Sequence, residues 1–428
     1  MKKINTTPLS GMQELLPSKQ AIFDTIKSKI EETYRLHGFQ HIETPMIDRN
    51  EVLFAKAGGD TEKQIYRVIK TDESAESSTE SLRFDHTVPL ARYVVEHESE
   101  LTFPFRVTQI GRNFRGERAQ KGRFREFYQC DVDIIGRNEL PLVYDAQVIA
   151  TFYDALKSFL NTEIKIRLNN RKFVSGVLDV LGVSAQSAEV YNIIDHSEKV
   201  PAEKTRESLI ELGLPDETVV KITTLINTHG DYEMIARLGY ENAGLAELKQ
   251  ISEELEKLGM KGAFEIDMKI VRGLDYYTGT VFETALPEYP SLGSVGSGGR
   301  YDNLASNYTD QKFPGVGASI GLSRLFYVMQ ENGLLGPAKT DIVATAPVDI
   351  AIIPMNSDFR AAAYNLAGKL RQEGKSVDVV LTDKKLGDMM KYASKVAKSG
   401  IVLGESEIES GIARVKDFAT GEQTEVKL

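Results

Sequence analysis

FRGERAQKGRFREFYQCD, residues 114–131, crowds Arg115, Arg118, Lys121, Arg123 and Arg125 into one short span against Glu117 and Glu126. Apolar runs flank it, VTQIG (107–111) on one side and FYQCDVDIIG (127–136) on the other. The simplest reading is two antiparallel strands joined by a long basic loop, Arg112–Arg125. Guanidinium groups held on such a hairpin suit a polyphosphate, which arginine grips with several donors. Phe127 begins the second strand and is placed to stack on a base. Read alone, the run also fits a solvated hairpin tip over a core phenylalanine, since charge runs usually face water.

Upstream, Ile22, Ile26, Ile30 and Tyr34 recur every four residues, which predicts an amphipathic helix over 20–36 stopped by Gly38. A short strand is expected over His41–Ile47. Pro45 removes a ladder donor, so that strand belongs at an edge or an irregular place. Residues 70–81 (KTDESAESSTES) read as a polar surface loop. Downstream, 144–159 has helical period and IKIRL (164–168) is a strand. Residues 171–258 read as almost wholly helical, an inserted module. Strand signals resume at 264–271 and at YYTGTVFET (276–284). Then come the glycine-rich GSVGSGGRYD (293–302) and a glycine-studded turn into a helix, PGVGASIGLSRLFYVM (314–329). Residues 333–347 mix Gly, Pro and small side chains and read as a linker. Beyond it β and α signals alternate through 404, as in a small α/β domain with a largely parallel sheet.

The bulk numbers bound the class. A chain of 428 residues exceeds one ordinary domain. With 41% apolar and 27% charged residues it can bury a sizeable core. A formal charge of −10 argues against a generally basic nucleic-acid coat, but a local basic patch is enough to meet RNA. Cys130 is the sole cysteine, so no intramolecular disulfide forms, which fits a reducing cytoplasm. His37, His41, His86, His97, His196 and His229 show no metal-ligand spacing with it, and no structural zinc is expected. Met1–Leu16 has no apolar stretch of signal-peptide length, and no run of about 18 apolar residues predicts a membrane span. No G-x-x-x-x-G-K-[ST] sequence occurs, so a bound nucleoside triphosphate would not sit on a P-loop.

Four segments carry a family resemblance. Phe114-Arg115-Gly116-Glu117, followed by Arg123, Phe127 and Asp131, resembles motif 2 of the class II aminoacyl-tRNA synthetases. GASIGLSRL (317–325) resembles motif 3, and the helix and strand ending at Pro45 resemble motif 1. RGLDYYTGTVFE (272–283) resembles the signature peculiar to histidyl-tRNA synthetases, with GSGGRYDNL (296–304) as its glycine-rich partner. On the residues alone, an Arg and an Asp so close to a tyrosine pair suggest a polar purpose, although a strand end with a surface ion pair fits too. LRFDHTVPLARY (82–93) resembles that family's segment for the substrate's α-amino group; alone it reads as a capped helix start.

The resemblance implies an α+β fold. An antiparallel-sheet catalytic domain would span 1–332 with the helical insertion at about 171–258, and an α/β anticodon-binding domain would span 348–428. It implies ATP-dependent ligation of L-histidine to tRNA(His) through histidyl-adenylate, releasing AMP and diphosphate. Arg115 would contact the α-phosphate, Glu117 the adenine amino group and Arg123 the γ-phosphate. Phe127 would stack on adenine, and Arg324 of motif 3 would meet the nucleotide. Asp85, Thr87 and Gln129 would hold the α-ammonium. Asp133 and Tyr277 would satisfy the two ring nitrogens, with Tyr276 beside them; apolar analogues are then rejected for leaving buried polar groups unpaired. Arg272, with Arg115, would stabilise charge on the α-phosphate, and Mg²⁺ would bridge the distal phosphates. Motif 1 implies a homodimer. The insertion is expected at the tRNA acceptor arm. Lys384, Lys385, Lys391, Lys395 and Lys398 cluster in the C-terminal part, the last three at i, i+4, i+7 of one expected helix, where they can meet a phosphate backbone or simply face water.

Three features depart from the family's bacterial pattern. Asp85 and Asp133 stand where many bacterial members carry Glu, and Gly279 where many carry Arg. The segment 82–93 is closer to the eukaryotic and archaeal form. The other class of answer is a non-catalytic, histidine-binding regulatory subunit of ATP phosphoribosyltransferase. That paralogue typically lacks the C-terminal domain and has a degraded RGLDYY segment, and this chain has both. A generic ATP-dependent RNA-binding protein is the third.

Overall fold

The computed structural model describes residues 3–55, 62–72, 74, 77–120, 122–271, 276–290, 293–335, 348–382 and 384–428. It divides into two compact units, Met1–Glu14 with Ile26–Asp341 and Leu15–Thr25 with Ile342–Leu428. No helix among the described residues is long and apolar enough to cross a membrane. The expected linker lies outside the described residues from 336 to 347.

Helix α1 (Pro17–Leu36) carries the four-residue apolar stripe, and Ile26, Ile30 and Tyr34 are fully buried. Gly38 ends it with a positive φ of 81°, and Phe39 N–H donates back to the Tyr34 carbonyl. The strand expected over His41–Ile47 is instead two short ones, β1 (Gln40–His41) and β2 (Ile47–Arg49). Between them the Thr44 carbonyl accepts from Arg83 Nη1 at 2.7 Å, and Pro45 has no N–H to offer. Both strands lie at sheet edges, as Pro45 demands. β2 joins β3 (Arg67–Val68) and β4 (Glu80–Leu82) in a small antiparallel sheet, so the end of the expected polar loop is a paired strand. Helices α2 (Asn50–Leu53) and α3 (Thr87–Glu96) pack beside it.

The basic loop does sit on a hairpin. β5 (Phe105–Phe114) and β6 (Glu126–Ile135) pair antiparallel from Phe105↔Ile135 to Phe114↔Glu126. The strands run further than the apolar pattern suggested, because Arg112 stays in the ladder by bonding Glu126 at 2.8 Å and lying over the Tyr128 ring. Helix α4 (Val143–Lys157) and strand β7 (Lys165–Asn170) follow.

Residues 171–258 hold α5 (Arg171–Val180), α6 (Ser187–His196), α7 (Ala202–Glu211), α8 (Asp216–Ile226), α9 (Tyr232–Ala236) and α10 (Ala243–Lys257). The helical reading missed β8 (His229–Gly230), which pairs with β9 (Phe264–Asp267). β10 (Thr280–Ala285), β11 (Gly296–Tyr301) and β12 (Gly315–Ile320) follow, and β12 leads into α11 (Leu322–Glu331). Together they complete one sheet in the order β1-β5-β6-β12-β11-β10-β7-β9-β8, antiparallel except at β1–β5 and β7–β9. Two expectations are corrected. The Tyr276–Tyr277 pair precedes β10 rather than lying in it, and the glycine-rich stretch is a central strand.

In the second unit β13 (Val348–Pro354) lies between β14 (Val377–Val379) and β15 (Ala397–Leu403), all parallel. The apolar cores on the sheet's two faces are closed by α12 (Arg360–Gln372) and α13 (Leu386–Val396). After α14 (Glu405–Ser410), β16 (Ile412–Asp417) and β17 (Gln423–Lys427) add an antiparallel hairpin, so the sheet is mixed rather than largely parallel. Lys391 and Lys395 are exposed on α13. Lys398 is not on that helix: it lies in β15 and bonds Asp349 at 2.8 Å.

Candidate active site

The face of β6 alternates with a period of two. Cys130, Val132 and Ile134 point into the core and are fully buried. Phe127, Gln129, Asp131 and Asp133 point the other way and line a cavity of about 460 Å³, of the size that holds small-molecule ligands. Asp85, Thr87, Arg115, Glu117, Arg123, Tyr276, Tyr277 and Arg324 line the same cavity. Every candidate residue among the described ones is thereby brought to one place. Arg272 and Lys121 lie outside the described residues.

Carboxyl and hydroxyl groups form part of the lining. Asp85 sits just ahead of α3 and accepts from Val88 N–H at 3.0 Å. Burial pushes its carboxyl up, and the Val88 N–H and the Arg115 charge partly offset that. Asp133 accepts from the Tyr301 hydroxyl at 2.7 Å. Burial, and then the neighbouring Asp131, push its carboxyl well above the usual range. The Tyr276 ring stands edge-on to Tyr277 at 5.2 Å and to Tyr301 at 6.1 Å. Its hydroxyl is buried beside the Thr87 side chain without a well-aligned hydrogen bond.

The glycines of β11 and β12 make this packing possible. A Cβ on Gly317 would fall 1.9 Å from Asp133 Oδ1, and one on Gly299 would fall 2.8 Å from the Tyr277 ring. The carboxyl and the ring therefore lie directly on bare backbone.

Guanidinium groups line the same cavity. The Arg115 guanidinium lies 4.2 Å from the Phe84 ring centre and 5.0 Å from that of Phe127. Its Nε donates to the Phe84 carbonyl at 3.3 Å. Two rings and a carbonyl thus hold it in one orientation. Arg123 bonds Glu117 at 3.3 Å, and Arg125 Nε fastens the loop to the Glu117 carbonyl at 3.0 Å. Arg324 lies in the first turn of α11. Burial, and then the Arg123 charge, lower its pKa. Crowded guanidinium groups around a concavity are relieved by an anion.

Sequence reasoning quoted Asp131 within motif 2 without giving it a role, and gave none to His86, Ser319, Tyr301 or Gly317. Asp131 was recoverable, since it alternates between Gln129 and Asp133 on one strand face. Tyr301 stood at the end of GSGGRY, yet nothing local paired it with Asp133, 168 residues away.

A family model described as histidyl-tRNA synthetase matches residues 11–325, and one described as an anticodon binding domain matches residues 349–428. The histidine–tRNA ligase of Clostridium tetani is 42% identical over 440 aligned positions, covering 100% of this chain and 98% of that one. That of Stenotrophomonas maltophilia is 41% identical, covering 100% and 96%. The crystal structure of histidyl-tRNA synthetase from Nostoc sp. PCC 7120 superposes with a TM-score of 0.87 at 35% identity, covering 99% and 97%. The matched motifs, the length of the matches and the shared α+β architecture agree: this chain belongs to the histidyl-tRNA synthetase family.

Proposed function

We infer that the protein is a histidine–tRNA ligase, which activates L-histidine with ATP and transfers it to tRNA(His) with release of AMP and diphosphate. The observation that carries this reading is the single cavity lined both by carboxyl and hydroxyl acceptors and by guanidinium groups.

Histidine lies against the carboxyl groups. Asp85, Thr87 and Gln129 meet its ammonium group, which needs acceptors only. Asp133 and Tyr277 meet the two ring nitrogens, with Tyr276 closing the pocket. Tyr301 already occupies Asp133 Oδ1, so Oδ2 is the oxygen that faces the imidazole. The nucleotide lies against the guanidinium groups, with adenine between Phe127 and Arg324, Glu117 at its amino group and Arg123 at the γ-phosphate. Mg²⁺ enters as part of the substrate MgATP.

The histidine carboxylate attacks the α-phosphorus and needs no general base, because it is already ionised. Negative charge builds on the α-phosphate oxygens. Arg115, immobilised before the substrate arrives, stabilises that charge more in the transition state than in the ground state, and Arg272 does so from the other side. The adenylate then passes histidine to the terminal adenosine of the tRNA. The anticodon-binding unit grips the same tRNA, and residues 171–258 meet its acceptor arm. The enzyme works in the cytoplasm as a homodimer with the segment ending at Pro45 in the interface.

ATP–pyrophosphate exchange with each of the twenty amino acids tests the reading. Exchange with histidine alone is expected. Histidine binding without exchange would instead favour a regulatory subunit of ATP phosphoribosyltransferase.

A further inference from the structure

The cleft also holds the carboxylate of Asp131, for which the reaction as described has no use. It is 3% exposed, and both its oxygens are engaged inside the protein. Oδ1 accepts from the Ser319 hydroxyl of β12, and Oδ2 is 3.0 Å from His86 Nδ1. Ser319 Oγ is also 2.6 Å from Gln129 Nε2, and Gln129 Oε1 is 2.7 Å from Asn113 Nδ2. We propose that Asp131 is a positioning residue: it fixes the carbonyl oxygen of Gln129 toward the substrate and clasps the two arms of the ammonium site. This rests on the reading that Gln129 and the Asp85–Thr87 arm meet the α-ammonium of histidine.

The direction of each bond follows from what each group can do. A carboxylate only accepts, so Ser319 must spend its one hydrogen on Asp131. Ser319 can then only accept from Gln129, which fixes the amide with its nitrogen on Ser319 and its carbonyl oxygen away from it. That oxygen takes one hydrogen from Asn113, a wholly buried residue, and keeps a second lone pair for a ligand. An ammonium group carries donors only, so the carbonyl oxygen is the end it needs. Without Asp131 the Ser319 hydrogen is free to point at Gln129. The amide can then turn over and present its NH₂ to an ammonium, donor against donor.

The second oxygen does the clasping. His86 stands between Asp85 and Thr87 and is 1% exposed. It faces a group that cannot donate, so Nδ1 carries the hydrogen. The bond ties the 85–87 arm to the strand that carries Gln129, across 45 residues of chain. Acceptors from two separate elements are thereby held at one spacing.

The test is equilibrium binding by titration calorimetry on the full-length protein, using L-histidine, imidazolepropionate and ATP. Imidazolepropionate lacks only the α-amino group. The wild type is expected to prefer L-histidine. Asp131→Ala and Ser319→Ala are each expected to cut that preference about tenfold, the scale of one hydrogen bond to a charged group, with ATP affinity unchanged. Gln129→Ala is the reference variant for the ammonium contact. If it lowers the preference and Asp131→Ala does not, the proposal is overturned and the Gln129 reading stands. If Gln129→Ala leaves the preference intact, that reading fails and the proposal with it. Parallel weakening of all three ligands would mean that Asp131 merely holds the sheet, and would also overturn it. Should Asp131→Ala not fold, Ser319→Ala, which removes a single hydroxyl, decides the outcome in the same way.

Discussion

At Asp133 the cleft holds a carboxyl group that burial and the neighbouring Asp131 push well above its ordinary value. The unfolded chain gives up that proton near pH 3.9, whereas the folded chain keeps it to higher pH. Stability from this group is therefore full at low pH and declines as pH rises toward the folded value. Asp133→Asn imitates the protonated acid and keeps an acceptor for Tyr301. Its thermal midpoint should gain on the wild type as pH rises from about 4 to 8, and a flat difference would rule out the perturbation. On the proposed reading Tyr277→Phe removes one partner of the imidazole, so calorimetry should show histidine binding about tenfold weaker with ATP binding unchanged; equal loss of both would indicate misfolding. Arg272→Ala should slow adenylate formation by at least about 10²-fold, or ~2.7 kcal/mol of barrier, in single-turnover assays. Near wild-type rates there would remove Arg272 from catalysis. The residues proposed to touch ligands, which line one cavity, were legible because short motifs name them. Those that hold them, such as Tyr301 against Asp133, were not, because the pairing is made by the sheet and not by adjacency in the chain.

Among the elements, β11 departs furthest from its sequence. Four of its six residues are Gly or Ser, which are poor strand formers, and nothing in the pattern alternates. It is a strand because its neighbours lie on it: a Cβ on Gly298 would come within 2.3 Å of the Gly317 carbonyl oxygen and 2.4 Å of the Phe282 ring. By contrast α1 was legible because its stripe answers to burial on a single face, and β13 because burial on both faces makes it an unbroken apolar run. The two-residue β8 left no signal of any length, and Pro45 announced an edge without telling that the strand would split. β11 is anchored by Arg300, which bonds the fully buried Asp145 of α4 at 2.7 Å. Three further contacts hold the pair: Arg300 Nη2 donates to the Leu140 carbonyl at 3.1 Å, Arg300 Nη1 to Asp302 at 3.4 Å, and the Thr280 hydroxyl to Asp145 at 2.6 Å. Arg300→Met strands the carboxylate and should cost about 3–5 kcal/mol in urea unfolding. Arg300→Met with Asp145→Leu removes the charge as well and should recover at least half of that loss. If the double variant is no better than the single, the arginine contributes packing and not charge compensation.

Across the whole molecule the chemistry divides between the two units. The cavity that holds every described candidate residue is lined by residues 85–324 alone. The anticodon-binding match covers 349–428. Adenylate formation needs only small molecules, so it should be blind to charge on the second unit, whereas transfer to tRNA should not be. The sequence reading placed three lysines on one helix face there. The fold keeps two, because α13 ends at Val396 and Lys398 is committed to Asp349. The division of labour therefore predicts a split by assay and by residue. Lys391→Glu with Lys395→Glu should raise KM for tRNA about tenfold, a loss that shrinks as salt rises because the variant has fewer phosphate contacts to screen, while histidine-dependent pyrophosphate exchange stays at the wild-type rate. Lys398→Ala should change the tRNA KM far less, since its charge already has a partner. If exchange falls together with charging in the double variant, the substitutions act through the fold. If neither assay moves, the tRNA backbone lies on another face of the second unit.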